Sequence, residues 1–280
     1  MVLTPLIARQ GIREGIELCL QSVIPSLFPF IFLTSMISGR SDLLSVPPLR
    51  TLGKWTGIPS GGETILLLGW FGGYPIGAKC IYENYKAGQL SLTAARRLLG
   101  FCNNAGPSFI FGVLFCVFPR PILLFILWFI QIFSSLLTGI LLPKEKEIVN
   151  INIRLQPTSP SQALQTATQA MVTICGWILI FRLPFVYLKQ FLFPDLSPFL
   201  SALVTGILEL TNGCILLNQI GSEPLRFVCC SVLLTFGGLC VSLQTMSLVK
   251  ELGIRSYFRG KAIQCCISLA LSLLAIWIFF

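Results

Sequence analysis

Apolar residues fill this chain in long blocks, and the polar positions fall either between the blocks or at a few points inside them. A helix needs about 20 predominantly apolar residues to cross the hydrocarbon of a bilayer. Eight blocks approach that length, at residues 16–38, 64–82, 98–118, 122–142, 163–188, 198–220, 225–249 and 262–280. Backbone N–H and C=O groups in lipid must be satisfied by the protein itself. The pattern therefore predicts an all-α integral membrane protein with about eight hydrophobic segments.

Four segments read as continuous or merely Pro-kinked helices, and the other four do not. LLLGWFGGYPIGAK carries Gly69, Gly72, Gly73, Pro75 and Gly77, and LLGFCNNAGPSFIFG carries Asn103, Asn104, Gly106 and Pro107. In the second half, GILELTNGCILL centres on Glu209, Thr211, Asn212 and Gly213, and LLTFGGLCVSLQ on Gly237, Gly238 and Gln244. Gly and Pro free backbone groups that lipid cannot satisfy, so such breaks belong inside the bundle. Interruptions in the same order in two halves point to two inverted repeats with broken or re-entrant helices, and to a site where the breaks meet. The expected organisation is one membrane domain, with a first half at 1–142, a polar linker at 143–162 and a second half at 163–280.

Composition agrees with a lipid solvent: 54% of residues are hydrophobic and only 11% charged, against roughly 25% charged in ordinary soluble domains. The formal charge of +9 is spread as single or paired Lys and Arg between apolar blocks, which argues against nucleic acid as a partner and for basic cytoplasmic loops. The loops around Arg96 and Arg97 and around Lys144 to Arg154 are expected on that face. If all eight segments crossed fully, the loop with Lys250, Arg255, Arg259 and Lys261 would lie opposite; one re-entrant segment per half removes the conflict. The run after Arg9 and Arg13 lacks a small-x-small cleavage site, so a retained helix is expected. Most of the eleven Cys lie in apolar blocks with no CxxC spacing, and there is no His, so they read as packing residues, with no metal and no cofactor expected. Without His, GxSxG or paired Asp in the apolar segments, an enzyme is not expected.

Several polar groups inside the blocks are candidates for solute contact. Glu209 is either a coupling-ion or substrate-orienting carboxylate, or a group near the interface bonded to Thr211 and Asn212. Asn103 and Asn104 either meet a solute or satisfy the broken backbone around them. Gly73, Tyr74 and Pro75 form a turn that allows close backbone approach. Lys79, just after it, either pairs with an anionic solute or snorkels. Arg182 either reaches the interface or marks an anion path. Gln244 is either a site residue or a polar partner across the bundle.

The stretches VIPSLFPFIFLTSMI, GWFGGYPIGAKCIYENYKAGQLS and RRLLGFCNNAGPSFIFG, with LELTNG and FGGLCVSLQ more loosely, resemble the nucleoside-recognition, or Gate, domain family. Within it the likeness is to the sporulation integral membrane proteins of the YlbJ type. The resemblance implies remote kinship with concentrative nucleoside transporters, paired hairpins and broken helices around a solute site, and a carrier moving dipicolinate during spore formation. The function expected is a permease in the bacterial cell membrane or a spore-associated membrane for a small polar, anionic solute, dipicolinate-like or nucleoside-like. The rival is an assembly subunit docking another membrane protein. Expected partners are the solute, membrane lipids, and a second copy or another membrane protein.

Overall fold

A computed structural model describes residues 4–38, 47–58, 62–144, 159–192 and 195–280, and every regular element among them is helical. Most of the expected linker at 143–162, including Arg154, lies outside the described residues. Helix α1 (Pro5–Leu18) passes through a π-helical turn at Cys19–Val23 into α2 (Ile24–Ser38). Then come α3 (Pro47–Thr56), α4 (Glu63–Leu67) with a π-helical turn at Leu68–Gly72, α5 (Ile76–Lys86) and α6 (Leu92–Leu99). A π-helical turn at Ser108–Val113 leads towards α7 (Pro121–Leu141). The rest comprises α8 (Pro160–Tyr187), α9 (Pro198–Leu208), α10 (Leu210–Leu216), α11 (Glu223–Phe236), α12 (Gly238–Leu248) and α13 (Arg255–Phe279).

Among the described residues five helical stretches are long and apolar enough to cross a membrane: Pro5–Met36, Pro121–Leu141, Pro160–Phe191, Glu223–Leu248 and Arg255–Phe279. The expected segments at 64–82, 98–118 and 198–220 form no single long helix, because their Gly, Pro, Asn and Glu residues interrupt the backbone. The segment at 98–118 stops at Leu99 and resumes at Ser108 after a non-helical stretch through Asn103, Asn104 and Gly106.

The other two segments double back. Gly206 and Gly213 would stand about 10 Å apart along one continuous helix, yet a Cβ built on Gly213 would collide with the Gly206 backbone. The reversal is at Glu209, between α9 and α10. The first half has the same device: a Cβ on Gly77 would come within 3.1 Å of the Gly69 Cα, and the reversal runs through Gly73, Tyr74 and Pro75.

Two of the long helices, α7 and α13, are polar inside and apolar outside, as suits a lipid-facing helix. On α13, Lys261, Gln264, Ser268 and Ser272 are buried while Leu269, Leu273 and Trp277 are exposed. On α7, Gln131, Ser134, Ser135 and Thr138 are buried against exposed Phe125, Phe129 and Phe133.

Hydrogen bonds fix how the helices run. Thr4 Oγ1 lies 3.0 Å from the Tyr187 hydroxyl, so α1 and α8 are antiparallel. Arg120, just before α7, pairs with Glu223 and lies 5.2 Å from the Phe280 ring, so α7 and α13 are antiparallel as well. At the other end of the bundle Arg96 Nε donates to the Leu252 carbonyl at 2.7 Å, Lys86 meets Glu251 at 2.6 Å and Arg97 Nε donates to the Pro143 carbonyl at 2.8 Å. The loop after α12 thus shares a face with the Arg96 loop and with Pro143. Lys261 itself is not in that loop but in the second turn of α13.

Arg97 is a clamp at this end. Besides Pro143, its guanidinium donates to the carbonyls of Thr56 at 2.5 Å and Gly139 at 2.6 Å, which α3 and α7 leave unpaired at their C-termini. Bonds from a charged donor contribute about 1.5–3 kcal/mol each, and those near a polar surface lie at the low end. Arg97→Ala should therefore lower the melting temperature of the detergent-purified protein by about 5 °C or more. Arg97→Lys should recover less than half, since an ammonium lacks the planar fork. An unchanged melting temperature for the alanine variant would show that α3 and α7 need no such clamp.

Candidate solute site

Each reversal seats against the break of its own half. Gly73, with φ of 73°, lies so close to Gly106 that a Cβ would stand 2.9 Å from the Gly106 nitrogen. A Cβ on Gly238, at the α11–α12 break, would stand 3.0 Å from the Gly206 carbonyl oxygen and 3.2 Å from the Leu210 nitrogen. Tyr74 then links the halves, its hydroxyl donating to the Leu234 carbonyl at 2.8 Å, just before the α11–α12 break.

Glu209 is extended, with φ of −142° and ψ of 118°, and caps α10. Its carboxylate accepts from the Thr211 N–H at 2.8 Å, the Asn212 N–H at 2.8 Å and the Asn212 side-chain amide at 2.7 Å. These are the N–H groups that a helix start leaves unpaired, which is why a carboxylate is tolerated here at 3% exposure. Arg182 donates to the Asn212 Oδ1 at 2.5 Å and pairs with Glu14 of α1. Arg182 is thus held by one partner on α10 and one on α1.

Between the two reversals lies a cavity of about 50 Å³ whose walls include Gly73, Tyr74, Gly106, Ser108, Glu209, Thr211 and Gln244, with Leu27, Phe109, Ile174 and Val241 on its apolar side. One water needs about 10–15 Å³ on this measure, so the space suits a few waters. Gln244 is 3% exposed and its amide nitrogen has no hydrogen-bond partner. The wall therefore brings the side chains of Glu209, Thr211 and Gln244 together in a buried space.

Of the residues singled out in the sequence, Gly73, Tyr74, Glu209, Thr211 and Gln244 meet here. Pro75 belongs to the turn and Asn212 stands behind Glu209. Asn103 and Asn104 are not on the wall. Asn103 Nδ2 donates to Thr245 Oγ1 at 3.0 Å, and Asn104 donates to the Phe101 carbonyl at 2.8 Å and accepts from Gln264 at 2.7 Å, so both tie the broken backbone to α12 and α13. Lys79 is elsewhere: its side chain is 48% exposed and stands 3.9 Å from Glu83, one helical turn along α5. Its position after the turn carries it out along α5 towards the solvated end.

Sequence reasoning missed Lys261, Gln264, Glu14 and Ser108. Beginning the last segment at Ala262 left Lys261 in a loop. One more turn of helix puts Lys261 on one stripe with Gln264, Ser268 and Ser272, which is the pattern that would have found it.

Five apolar spans, two of them with inward polar stripes, and a buried polar centre make this chain a multi-pass membrane protein. It is similar to the sporulation integral membrane protein YlbJ of Bacillus subtilis (strain 168), with 23% identity over 294 residues that cover 87% of this chain and 71% of the relative. No protein-family profile matches the chain, and no solved structure matches it.

Proposed function

We propose that this chain is a permease for a small polar solute, working by alternating exposure of the cavity between two inverted halves, and acting in sporulation as its relative's name suggests for that protein. The observation that carries the reading is a buried cavity bounded by both reversals whose wall brings Glu209, Thr211 and Gln244 together. The antiparallel pairs α1 with α8 and α7 with α13 support inversion, as do the two hairpins and two breaks in the same chain order. The GYPIGAK and FCNNAGP stretches, which resemble the Gate domain family, supply one reversal and the break beneath it.

A cavity of a few waters is too small for a nucleoside or dipicolinate, so loading requires a hairpin to move away from its seat. The wall carries one carboxylate and no Lys or Arg. A nucleoside-like solute would meet the side chains of Glu209, Thr211 and Gln244 there, and a dipicolinate-like anion would bring a proton or cation to Glu209. A docking subunit would place Glu209, Asn103 and Asn104 on a lipid-facing seam, whereas all three are buried.

The test is a thermal-shift screen of the detergent-solubilised protein against dipicolinate, nucleosides and comparable small anions. A solute at 100 times its dissociation constant stabilises by about 2.7 kcal/mol, or roughly 5–10 °C at this chain size. A panel with no shift at any concentration would reject a permease for these solutes.

A further inference from the structure

Lys261 is the least expected feature of the core. It is 1% exposed, yet among the described residues no carboxylate pairs with it. Its ammonium donates to the Asn103 carbonyl at 2.6 Å, and stands 3.4 Å from both the Tyr74 hydroxyl and Gln264 Oε1. The rings of Tyr74 and Tyr257 lie 5.2 Å and 6.0 Å away. The Asn103 side-chain oxygen, from the same residue as the main ligand, has no hydrogen-bond partner. An uncompensated buried charge is costly, and one inside a membrane bundle is a functional position by default.

Three features define the chemistry of this place. The oxygens are neutral carbonyl and hydroxyl groups, the donor type that suits hard cations. The Asn103 carbonyl is free because it belongs to the non-helical stretch between α6 and Ser108, and unwound backbone carbonyls are where broken-helix carriers hold a coupling cation. The amine is brought there by a close crossing, since a Cβ on Gly260 would collide with the backbone of Gly100. That contact leaves Lys261, the next residue, beside the break.

We propose that these oxygens form a monovalent-cation cradle and that its occupant in this chain is its own Lys261 ammonium. On the permease reading, on which this consequence rests, the transport cycle then needs no free Na⁺. The tethered amine also couples the parts that must move, because the Tyr74 hydroxyl touches both Lys261 and the Leu234 carbonyl.

The test reads the melting temperature of the full-length protein in detergent, in equal concentrations of NaCl and choline chloride, and uses no solute. Its failure is therefore separable from failure of the permease reading. The wild type should melt at the same temperature in both salts. Lys261→Ser, which empties the cradle, should melt lower in choline chloride and regain part of the loss in NaCl with a saturating dependence on Na⁺. Lys261→Met, which fills the space without charge, should not respond. A wild type stabilised by Na⁺ over choline would overturn the proposal, as would a folded serine variant indifferent to Na⁺, K⁺ and Li⁺. If the serine variant does not fold, Lys261→Ala is purified throughout in NaCl and exchanged into choline chloride. Loss of folded protein on exchange supports the cradle, and retention overturns it.

Discussion

Gly213→Val is expected to destabilise the protein more than any other single change named here. The reason is the crossing of α9 and α10. A Cβ on Gly213 would collide with the Gly206 backbone and stand 3.1 Å from the Ala202 carbonyl oxygen. The obstructing atoms are main chain, so no rotamer change relieves the clash and the two arms must separate. Overpacking a core costs typically 1–3 kcal/mol and more where the backbone must shift, so at least about 3 kcal/mol is expected, a fall of roughly 6–12 °C or more in melting temperature. Separation would also unseat Leu210 from Gly238 and disturb the Glu209 cap. Gly221→Val is the control, since nothing lies within 4 Å of a Cβ there. Detergent-purified protein should melt as wild type for Gly221→Val and far lower for Gly213→Val; equal melting temperatures would mean that the hairpin is not packed as described.

Gln244→Leu should do the reverse, leaving the fold intact and removing solute recognition. Its amide nitrogen is buried without a partner, so an apolar residue of similar volume removes an unsatisfied donor and should hold or raise the melting temperature. Any solute that used the donor is left with an unpaired acceptor, at about 1–3 kcal/mol, or roughly 5- to 150-fold in affinity. Glu209 cannot separate the two roles in this way. Glu209 both lines the cavity and caps α10 through three hydrogen bonds, so Glu209→Gln changes stability and chemistry together.

Block length and hydropathy made the membrane class legible, because lipid imposes length and internal hydrogen bonding on any spanning helix. The places where helices break were also readable, since Gly73, Pro75, Gly106, Glu209 and Gly237 are residues whose backbone or charge opposes a continuous apolar helix. What a break becomes was not: the one at Glu209 is a reversal and the one at Gly237 is a kink within a single span, and the difference lies in the Gly206–Gly213 crossing. Candidate residues at the reversals, Gly73, Tyr74, Glu209 and Thr211, lie on the cavity wall, and so does Gln244 of α12. Asn103 and Asn104 do sit at a break, yet off the cavity wall, because α12 and α13 take up their side chains in a way no local pattern shows. Lys79 and Lys261 show the limit most clearly: the lysine next to the motif points away from the centre, and the buried one comes from the distant α13, brought in by the Gly260–Gly100 crossing.

The central claim is that the cavity between the two reversals is the path of a small polar solute. Its most direct test is uptake of radiolabelled dipicolinate and uridine into liposomes containing the wild type or Gln244→Leu, each at matched protein content and orientation. The account predicts uptake of at least one solute by the wild type above protein-free liposomes, reduced roughly 5- to 150-fold at sub-saturating solute in Gln244→Leu while its melting temperature is unchanged or higher. Wild-type uptake no greater than that of protein-free liposomes, or a Gln244→Leu variant that transports as well as the wild type, would contradict it.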